Sequence, residues 1–405
     1  MGVGDSTMCD TMACITENQR VFFGKNSDRN PLEPQMLTIE RGDTVLDEHT
    51  IPIMLEKYAP QLAMLQQVRE KYDNPYTALL SRPAWMWGAE MGVNEHGLAI
   101  GNEAVFSRSK VDSKGLLGMD IVRLALHNAK TASQSVDLII HLIETYGQGG
   151  DGAYKGSLRY HNSFLASDAQ EAWILETAGK HWVAKRINAK DAISNAYSIQ
   201  SEYDKADVET KGNFSATHAS RLYAFITKGA IRRQCALEHL SESCNSWTEI
   251  RDILLLNKKP AGNLDTSMGS ICMDCQLPSP SRTMSSMIVE YDGSSILAWC
   301  NASPLPVYST YVPYCITKAA LDNRIDSTVE QAFSVAKTVI ERTEGLLASD
   351  AQTRTQTADR ARLLETHFEQ FVRPSYTAHD LESLDNISSS CRRAAEHDRS
   401  RQQFS

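Results

Sequence analysis

A cysteine lies almost at the beginning of the chain, and a strand-like segment just after it ends in a charged cluster. The stretch "MCDTMACITENQRVFFGKNSDRN", residues 8–30, carries a thiol at Cys9 and charges at Lys25 and Asp28. Branched and aromatic residues on both sides of the polar "TENQ" predict a β-hairpin over residues 9–28. The hairpin brings the charged end of its second strand back to the thiol.

The position of the turn predicts which residues lie beside the sulfur. If the chain turns so that Thr16 pairs with Gln19, Cys9 falls opposite Asn26, to within one residue. Lys25 and its charged neighbours then lie next to the thiol.

A thiol with the ordinary pKa of about 8.5 is only slightly ionised at neutral pH, and it becomes a nucleophile beside a base or a cation. The predicted hairpin contains no histidine. If residues 1–8 are removed, however, Cys9 carries its own α-amine, whose reference pKa is about 7.7–8.0, and this amine can take the thiol proton. Lys25 would lower the pKa of the amine by repulsion, and Asp28 would accept hydrogen bonds from the α-ammonium. The structural alternative is a half-buried cysteine in an edge hairpin with a solvated, charged end.

Composition narrows the class of protein. The chain has 405 residues, 42% of them hydrophobic, and a formal net charge of -9 without a long basic run, which argues against nucleic-acid binding. It contains no apolar stretch of about 18 residues and no N-terminal signal pattern, so we expect neither a membrane span nor secretion. Nine cysteines, an odd number, do not suggest a disulfide framework. We therefore expect a cytoplasmic protein with reduced thiols. "MGVGDS" matches a myristoylation pattern at Gly2, but matches to such short patterns often arise by chance.

Strand patterns cluster at the front and in the middle of the chain, and helical patterns occur in pairs between them. The pattern of residues 117–147 predicts two helices, and residues 215–240 are predicted to be helical. This order does not alternate as βαβ units do, and it favours antiparallel sheets covered by helix pairs. We predict a leader over 1–8, one domain over 9–382 and a polar, flexible tail over 383–405.

Several blocks of the sequence resemble a known family. These are "CDTMACI", "FFGKNSDR", "SRPAWMWGAEMGVNEHGLAIGNEAV", "YHNSFLASDAQEAWILETAGKHWVAKRI" and "AISNAYSI". They look like the secernins and the related cysteine dipeptidases of the N-terminal nucleophile (Ntn) hydrolase superfamily, in order from residue 9 to about residue 315. The resemblance implies an α+β fold, a four-layer αββα sandwich of two stacked antiparallel sheets. It also implies an N-terminal cysteine that acts on amide bonds.

The resemblance assigns roles by position. Cys9 matches the nucleophile, Asp28 matches the carboxylate that orients the amine, and Lys25 stands where related acylases have an arginine. Asn195 matches an asparagine that stabilises the oxyanion of the tetrahedral intermediate.

Two further assignments rest on weaker matches. Asn102, in "IGNEAV", matches a second oxyanion donor, with a one-residue ambiguity toward Glu103. Arg221, in "ASRLYAF", resembles a supporting arginine of the acylases. Apart from the family, a turn or backbone-capping role would be expected for either asparagine.

Together these features predict an N-terminal cysteine amidohydrolase, most simply a dipeptidase, acting on short peptides or acyl-amino compounds without a metal or other cofactor. Cys9 would become N-terminal by autocatalytic removal of the leader, as the superfamily implies, or by removal of Met8 as the initiating residue. The rival hypothesis is a secernin-like binding protein of regulated secretion with weak or absent hydrolysis. A homo-oligomer is compatible with either hypothesis.

Three other patterns have structural explanations that we favour. Cys272 and Cys275 have C-x-x-C spacing, but the chain has no second such pair to complete a zinc site. Trp85 and Trp87 are expected in core or rim packing rather than in a ligand pocket. The remaining pattern is a group of basic residues expected on a solvated helix face, namely Lys228, Arg232 and Arg233.

Overall fold

The structure, a computed structural model, describes residues 8–46, 50–276, 279–325 and 328–401, with the backbone alone over 397–401. The predicted leader, apart from Met8, lies outside the described residues. The strands are β1 (Met8–Ile15), β2 (Val21–Arg29), β3 (Gln35–Arg41), β4 (Thr77–Pro83), β5 (Met91–Asn94), β6 (Ala99–Val105), β7 (His161–Ser167), β8 (Ala172–Ala178), β9 (His181–Ile187), β10 (Lys190–Ser194), β11 (Lys205–Ala206), β12 (Asp274–Cys275), β13 (Ser281–Asp292), β14 (Ser295–Asn301) and β15 (Val312–Cys315).

The helices are α1 (Ala59–Arg69), α2 (Gly118–Asn128), α3 (Ala132–Tyr146), α4 (Phe214–His218), α5 (Arg221–Thr227), α6 (Gly229–His239), α7 (Trp247–Leu254), α8 (Lys318–Asp322), α9 (Val329–Leu347), α10 (Ala351–Thr377) and α11 (Leu381–Arg401). Single 3-10 turns occur at Glu56–Tyr58, Ala261–Asn263 and Pro306–Tyr308. No helix among the described residues is both long and apolar enough to cross a membrane.

Two antiparallel sheets form the centre of the molecule. The first has the order β10-β1-β2-β13-β14-β15, with β12 paired to β13, and the second has the order β11-β9-β8-β7-β6-β5-β4-β3. Strand β1 lies between β10 and β2, which places Cys9 inside a sheet rather than at its edge.

The two sheets pack face to face through one apolar core. Phe23 and Val289 of the first sheet meet Val93 and Leu165 of the second in this core. On its outer face the second sheet packs against α1, α2 and α3, and the first packs against α6, α7, α10 and α11. The predicted four-layer αββα sandwich is therefore confirmed.

The hairpin has the predicted strands, with pairing shifted by one residue. Thr16 pairs with Arg20 rather than Gln19, and Cys9 lies opposite Ser27. The loop therefore has three residues, 17–19. Its last residue, Gln19, has a φ of 60°, and a left-handed last residue is typical of three-residue hairpin loops. The extra loop residue accounts for the shift, which lies within the predicted tolerance.

The stretch predicted to be helical over residues 215–240 is divided into separate helices, because the chain forms α4, α5 and α6 there. Lys228 adopts φ 51° between the last two. The next residue, Gly229, lies so close to Asn195 that a Cβ would come within 2.7 Å of the Asn195 carbonyl carbon. The break therefore places the start of α6 directly on the backbone of a predicted site residue.

The prediction of a polar, flexible tail over 383–405 is wrong for the described part of this segment, since α11 covers Leu381–Arg401. Leu384, Cys391 and Ala395 are buried against the outer face of the first sheet. Their spacing of seven and four residues is that of one helix face. Only a few apolar residues form this stripe. The composition around them is polar, which is why the sequence predicted a tail.

Candidate active site

The alternation of β1 places neighbouring residues of the hairpin on opposite faces of the first sheet. Cys9 and Thr11 face the second sheet, where the Thr11 hydroxyl donates a hydrogen bond to Glu103 of β6. Asp10 faces the outer helix layer, where it meets Arg232 of α6. The thiol therefore lies between the sheets at the β1 terminus.

Asn195, directly after β10, contacts the backbone nitrogen of Cys9. Its Oδ1 accepts a hydrogen bond from Cys9 N at 2.9 Å, and its Nδ2 donates to the Ala104 carbonyl at 2.9 Å. The first contact places the side chain at the atom that removal of the leader would convert to an amine.

Arg232 holds this arrangement from the outer face, although the sequence suggested a solvated position. Its side chain is fully buried, with Nε 2.9 Å from Asp10 Oδ2 and Nη2 2.6 Å from Asn195 Oδ1. Nη1 donates to the Thr227 carbonyl at 2.6 Å. Burial lowers the pKa of Arg232, but Asp10 and Asp28 outweigh burial and keep it above the ordinary value.

Arg221, the predicted supporting arginine, is exposed at the start of α5. No described hydrogen bond or ion pair joins it to Cys9 or Asn195. Arg232, eleven residues later, occupies the supporting position, so the assignment to Arg221 requires correction. The reason is the break at Lys228, which separates α5 from the site.

Lys25 and Glu103 form a buried ion pair on the inner face, at 3.2 Å. Lys25 Nζ also donates to the Asn102 carbonyl at 2.7 Å. Burial raises the pKa of Glu103 to about 7, against the lowering effects of Lys25 and Thr11. Burial lowers the pKa of Lys25, but Cys9, Glu103 and Glu90 raise it more, so the ammonium form is favoured.

The ambiguity between Asn102 and Glu103 is resolved by the alternation of β6. Asn102 points to the outer side of the second sheet, where its Nδ2 donates to Asn162 Oδ1 at 3.0 Å. A Cβ on Gly118 of α2 would lie 2.8 Å from Asn102 Nδ2, which places the amide beneath that helix. The side chain of Glu103, not that of Asn102, faces the thiol, and the assignment of Asn102 as an oxyanion donor requires correction.

Asp28 lies opposite Met8 in the β1–β2 pair, one residue before the nucleophile. One carboxylate oxygen accepts from the Thr283 hydroxyl at 2.6 Å. The other, Oδ2, is buried without a hydrogen-bond partner among the described residues. Burial and Asp10 raise the pKa of Asp28, while Arg232 opposes them.

Glu90, which the sequence did not single out, contacts the sulfur itself. Its Oε2 lies 3.8 Å from Cys9 Sγ, and its Oε1 lies 3.1 Å from Arg29 Nη1. Arg29 also pairs with Glu33 at 2.7 Å. Glu90 precedes β5 within a quoted block, but no local spacing in that block points to the thiol.

The thiol is buried and protonated in this form of the chain. Burial raises the pKa of Cys9 well above its ordinary value, Lys25 opposes this, and Glu103, Glu90 and Asp28 add to it. Cys9 is 3% exposed and Met8 is 2% exposed. A cavity of about 520 Å³ lies elsewhere, at Tyr308 and Thr343. In the described part of the chain, the thiol of Cys9 is thus closed off from solvent with Met8 in place.

The remaining motifs are structural in the described part of the chain. Trp85 and Trp87 are buried in the core. Cys272 and Cys275 lie in separate apolar clusters. No group of three or more His, Cys, Asp or Glu side chains among the described residues has a metal-binding arrangement.

Comparison with known families agrees with the blocks quoted from the sequence. The model of peptidase family C69 matches residues 88–245. The matched stretch runs from just before Glu90 through Asn195 to beyond Arg232. The resemblance to this peptidase family is therefore confirmed over residues 88–245.

Solved structures with a similar arrangement are named as a hydrolase, an acylase and an amidase. A mutant of conjugated bile acid hydrolase from Clostridium perfringens is 10% identical, covering 78% of this chain and 94% of its own, with a TM-score of 0.43. Penicillin V acylase from Agrobacterium tumefaciens is 14% identical, covering 76% and 87%, with a TM-score of 0.40. An N-acylethanolamine-hydrolyzing acid amidase ortholog from Caenorhabditis elegans is 10% identical, covering 69% and 92%, with a TM-score of 0.37. At these low TM-scores no conclusion rests on the three likenesses.

Proposed function

We propose that the chain is an N-terminal cysteine amidohydrolase of dipeptidase type, with Cys9 as nucleophile once residues 1–8 are removed. The observation that carries the proposal is the contact of Cys9 N with Asn195, at the same residue whose sulfur faces Lys25 between the sheets. Removal of Met8 would turn this nitrogen into an α-amine one bond from the Cα that carries the thiol. Nucleophile and base then belong to one residue.

The proposed reaction proceeds through a thioester. The α-amine takes the thiol proton, and the sulfur attacks the substrate carbonyl carbon, whose π electrons move to oxygen. Asn195 and a backbone N–H stabilise this oxyanion. The carbonyl re-forms, the C–N bond breaks, and the α-ammonium gives its proton to the leaving amine. A water molecule, deprotonated by the amine, then hydrolyses the thioester to a carboxylic acid and the free thiol.

The surrounding charges suit this cycle. Lys25 stabilises a thiolate, and Arg232 holds Asn195 in place through its Oδ1. Asp28 has a buried oxygen without a partner among the described residues, next to the position that Met8 vacates. An ammonium there would be the hydrogen-bond donor that this oxygen lacks.

Mass and turnover test the proposal. Intact mass and N-terminal sequencing of the purified protein should show Cys9 as the first residue, and such protein should hydrolyse members of a dipeptide panel. The Cys9→Ser variant should retain little or none of this hydrolysis. The control is Cys14→Ala, on the same strand but facing the outer layer, which should keep it. Equal rates for wild type and Cys9→Ser would contradict the proposal.

The rival hypothesis, a secernin-like protein that acts by binding in regulated secretion, stays a prediction. It applies to a chain that keeps its leader, because Cys9 then has an amide nitrogen and no free amine. Full retention of residues 1–8 in the cell that makes the protein would favour it.

A further inference from the structure

The side chain of Met8 fills an apolar pocket at the beginning of β1. It is 2% exposed and packs with Met268, Met273 and Cys275, which are buried as well and form one cluster with it. The three partners belong to a single segment, residues 268–275, which ends in β12. One distant segment therefore forms the pocket, and the residue directly before Cys9 fills it.

Backbone contacts hold the walls of this pocket next to the site. The Met268 carbonyl accepts a hydrogen bond from Arg232 Nη1 at 3.1 Å, and Met273 N donates to the Thr283 hydroxyl at 2.8 Å. The same hydroxyl donates to Asp28 at 2.6 Å. The main chain of the pocket is thus held in place, whereas methionine side chains are flexible and adapt to apolar groups of different shape.

The proposed reaction determines which part of a substrate comes nearest to this pocket. The α-ammonium of Cys9 gives its proton to the leaving nitrogen, which must then lie about 3 Å from Cys9 N. The Cα of Cys9 and Asn195 Oδ1 already take two directions around Cys9 N. The leaving nitrogen therefore approaches from the side where Met8 was bonded, because ordinary bond lengths put the Met8 Cα about 2.4 Å from Cys9 N.

We propose that the pocket vacated by Met8 binds the side chain of the leaving residue. The enzyme then prefers dipeptides whose C-terminal residue has an unbranched apolar side chain, such as methionine or norleucine. This inference rests on the proposed function and specifies its substrate class. Removal of Met8 otherwise leaves an apolar cavity, which a side chain of the same size fills again. A charged side chain would lose its hydration against the apolar walls of the described segment.

The test varies the leaving residue on protein whose first residue is Cys9 by intact mass. The acyl residue of a dipeptide that the wild type cleaves is kept, and the leaving residue is norleucine, glycine, glutamate or phenylalanine. In kcat/KM, norleucine should exceed glycine roughly 10- to 100-fold, the gain expected when one such side chain is buried. Glutamate should lie at or below glycine.

Two variants connect this preference to the pocket. Met273→Ala enlarges the pocket, so the ratio of kcat/KM for phenylalanine to that for norleucine should rise roughly 10-fold. Met12→Ala is the matched control, because Met12 is a buried methionine on the same strand and the same face as Met8 but packs in the core of the outer layer. It should keep the wild-type ratio.

The possible outcomes separate the two proposals. Hydrolysis that depends on Cys9 but is equally fast for norleucine, glycine and glutamate would overturn the pocket and leave the amidohydrolase intact. An unchanged ratio in folded Met273→Ala would do the same. No hydrolysis of any member of the series would contradict the proposed function, and the pocket with it. The wild-type series decides even if Met273→Ala does not fold.

Discussion

Arg232 and Arg233 are adjacent in the sequence and lie in different environments. The first is buried among Asp10, Asn195 and Ser194, while the second is partly exposed and pairs with Asp191. A buried arginine that is removed leaves its carboxylate partner charged and unpaired, which costs several kcal/mol.

Arg232→Met should therefore lower the free energy of unfolding by about 3–5 kcal/mol, measured by urea denaturation. Arg233→Met is the matched control, one position along α6, and should cost about 1 kcal/mol or less. Similar losses in the two variants would mean that the burial of Arg232 has no energetic consequence.

The two asparagines assigned from the family give a second prediction at this scale. Asn195→Ala should lower kcat by about 100- to 1000-fold, as expected for the loss of an oxyanion donor. Asn102→Ala should change kcat only a few-fold and should lower stability by roughly 1–3 kcal/mol, because it removes the hydrogen bond that Asn102 donates to Asn162 Oδ1. Steady-state kinetics on the cleaved dipeptide distinguish them, and the reverse order would restore Asn102 to the site.

At the scale of elements, β8 ties down the segment that follows Asn195. Glu176 of β8 accepts hydrogen bonds from Ser198 N at 2.6 Å, from the Ser198 hydroxyl at 2.7 Å and from Ile199 N at 3.1 Å. Burial raises the pKa of Glu176 from 4.5 to about 7, although these hydrogen bonds lower it.

The raised pKa of Glu176 predicts that its contribution to the free energy of unfolding decreases as pH rises. Between pH 4.5 and about 7 the folded chain holds a proton that the unfolded chain has lost, so the stabilisation is present at low pH and lost as pH rises through 7. From pH 4.5 to 8 the unfolding free energy of Glu176→Gln should therefore rise by about 3 kcal/mol relative to wild type. Parallel pH profiles of the two proteins in urea denaturation would contradict this.

At the scale of the whole molecule, the thiol of Cys9 is buried while Met8 still precedes it. Cys9 is 3% exposed in the chain that contains Met8, whereas Cys235 is partly exposed and the other described cysteines are buried. Access to the sulfur should therefore depend on whether the leader is present.

Alkylation by iodoacetamide measures this access. In chains that keep the leader, Cys9 should react more slowly than Cys235, since it is both buried and protonated. In chains that begin at Cys9 it should react faster than Cys235. Intact mass separates the two forms, and peptide mapping locates the label. Equal labelling of Cys9 in both forms would show that the leader does not close the site.

Some features could be predicted from the sequence because they depend on local patterns. Branched and aromatic residues around a polar turn predicted the hairpin of Cys9, and the position of Cys9 suggested the nucleophile hypothesis. The αββα sandwich, in contrast, was implied by the family that the quoted blocks resemble. Arg232 had a local signal as well, because it falls on the same helix face as Gly229, Ala236 and Leu240, three or four residues apart. A charged residue within that stripe is buried with its partner.

The tertiary structure alone decided which distant side chains meet the thiol. Glu90 reaches the sulfur because the second sheet stacks on the first, and no spacing along the chain encodes that contact over 81 residues. Because the sheets stack, the faces of β6 have different surroundings. Glu103 points inward to the thiol side and Asn102 points outward, since neighbouring residues of a strand face opposite sides. Local periodicity sets which face a residue takes, whereas the packing of distant elements sets what that face touches.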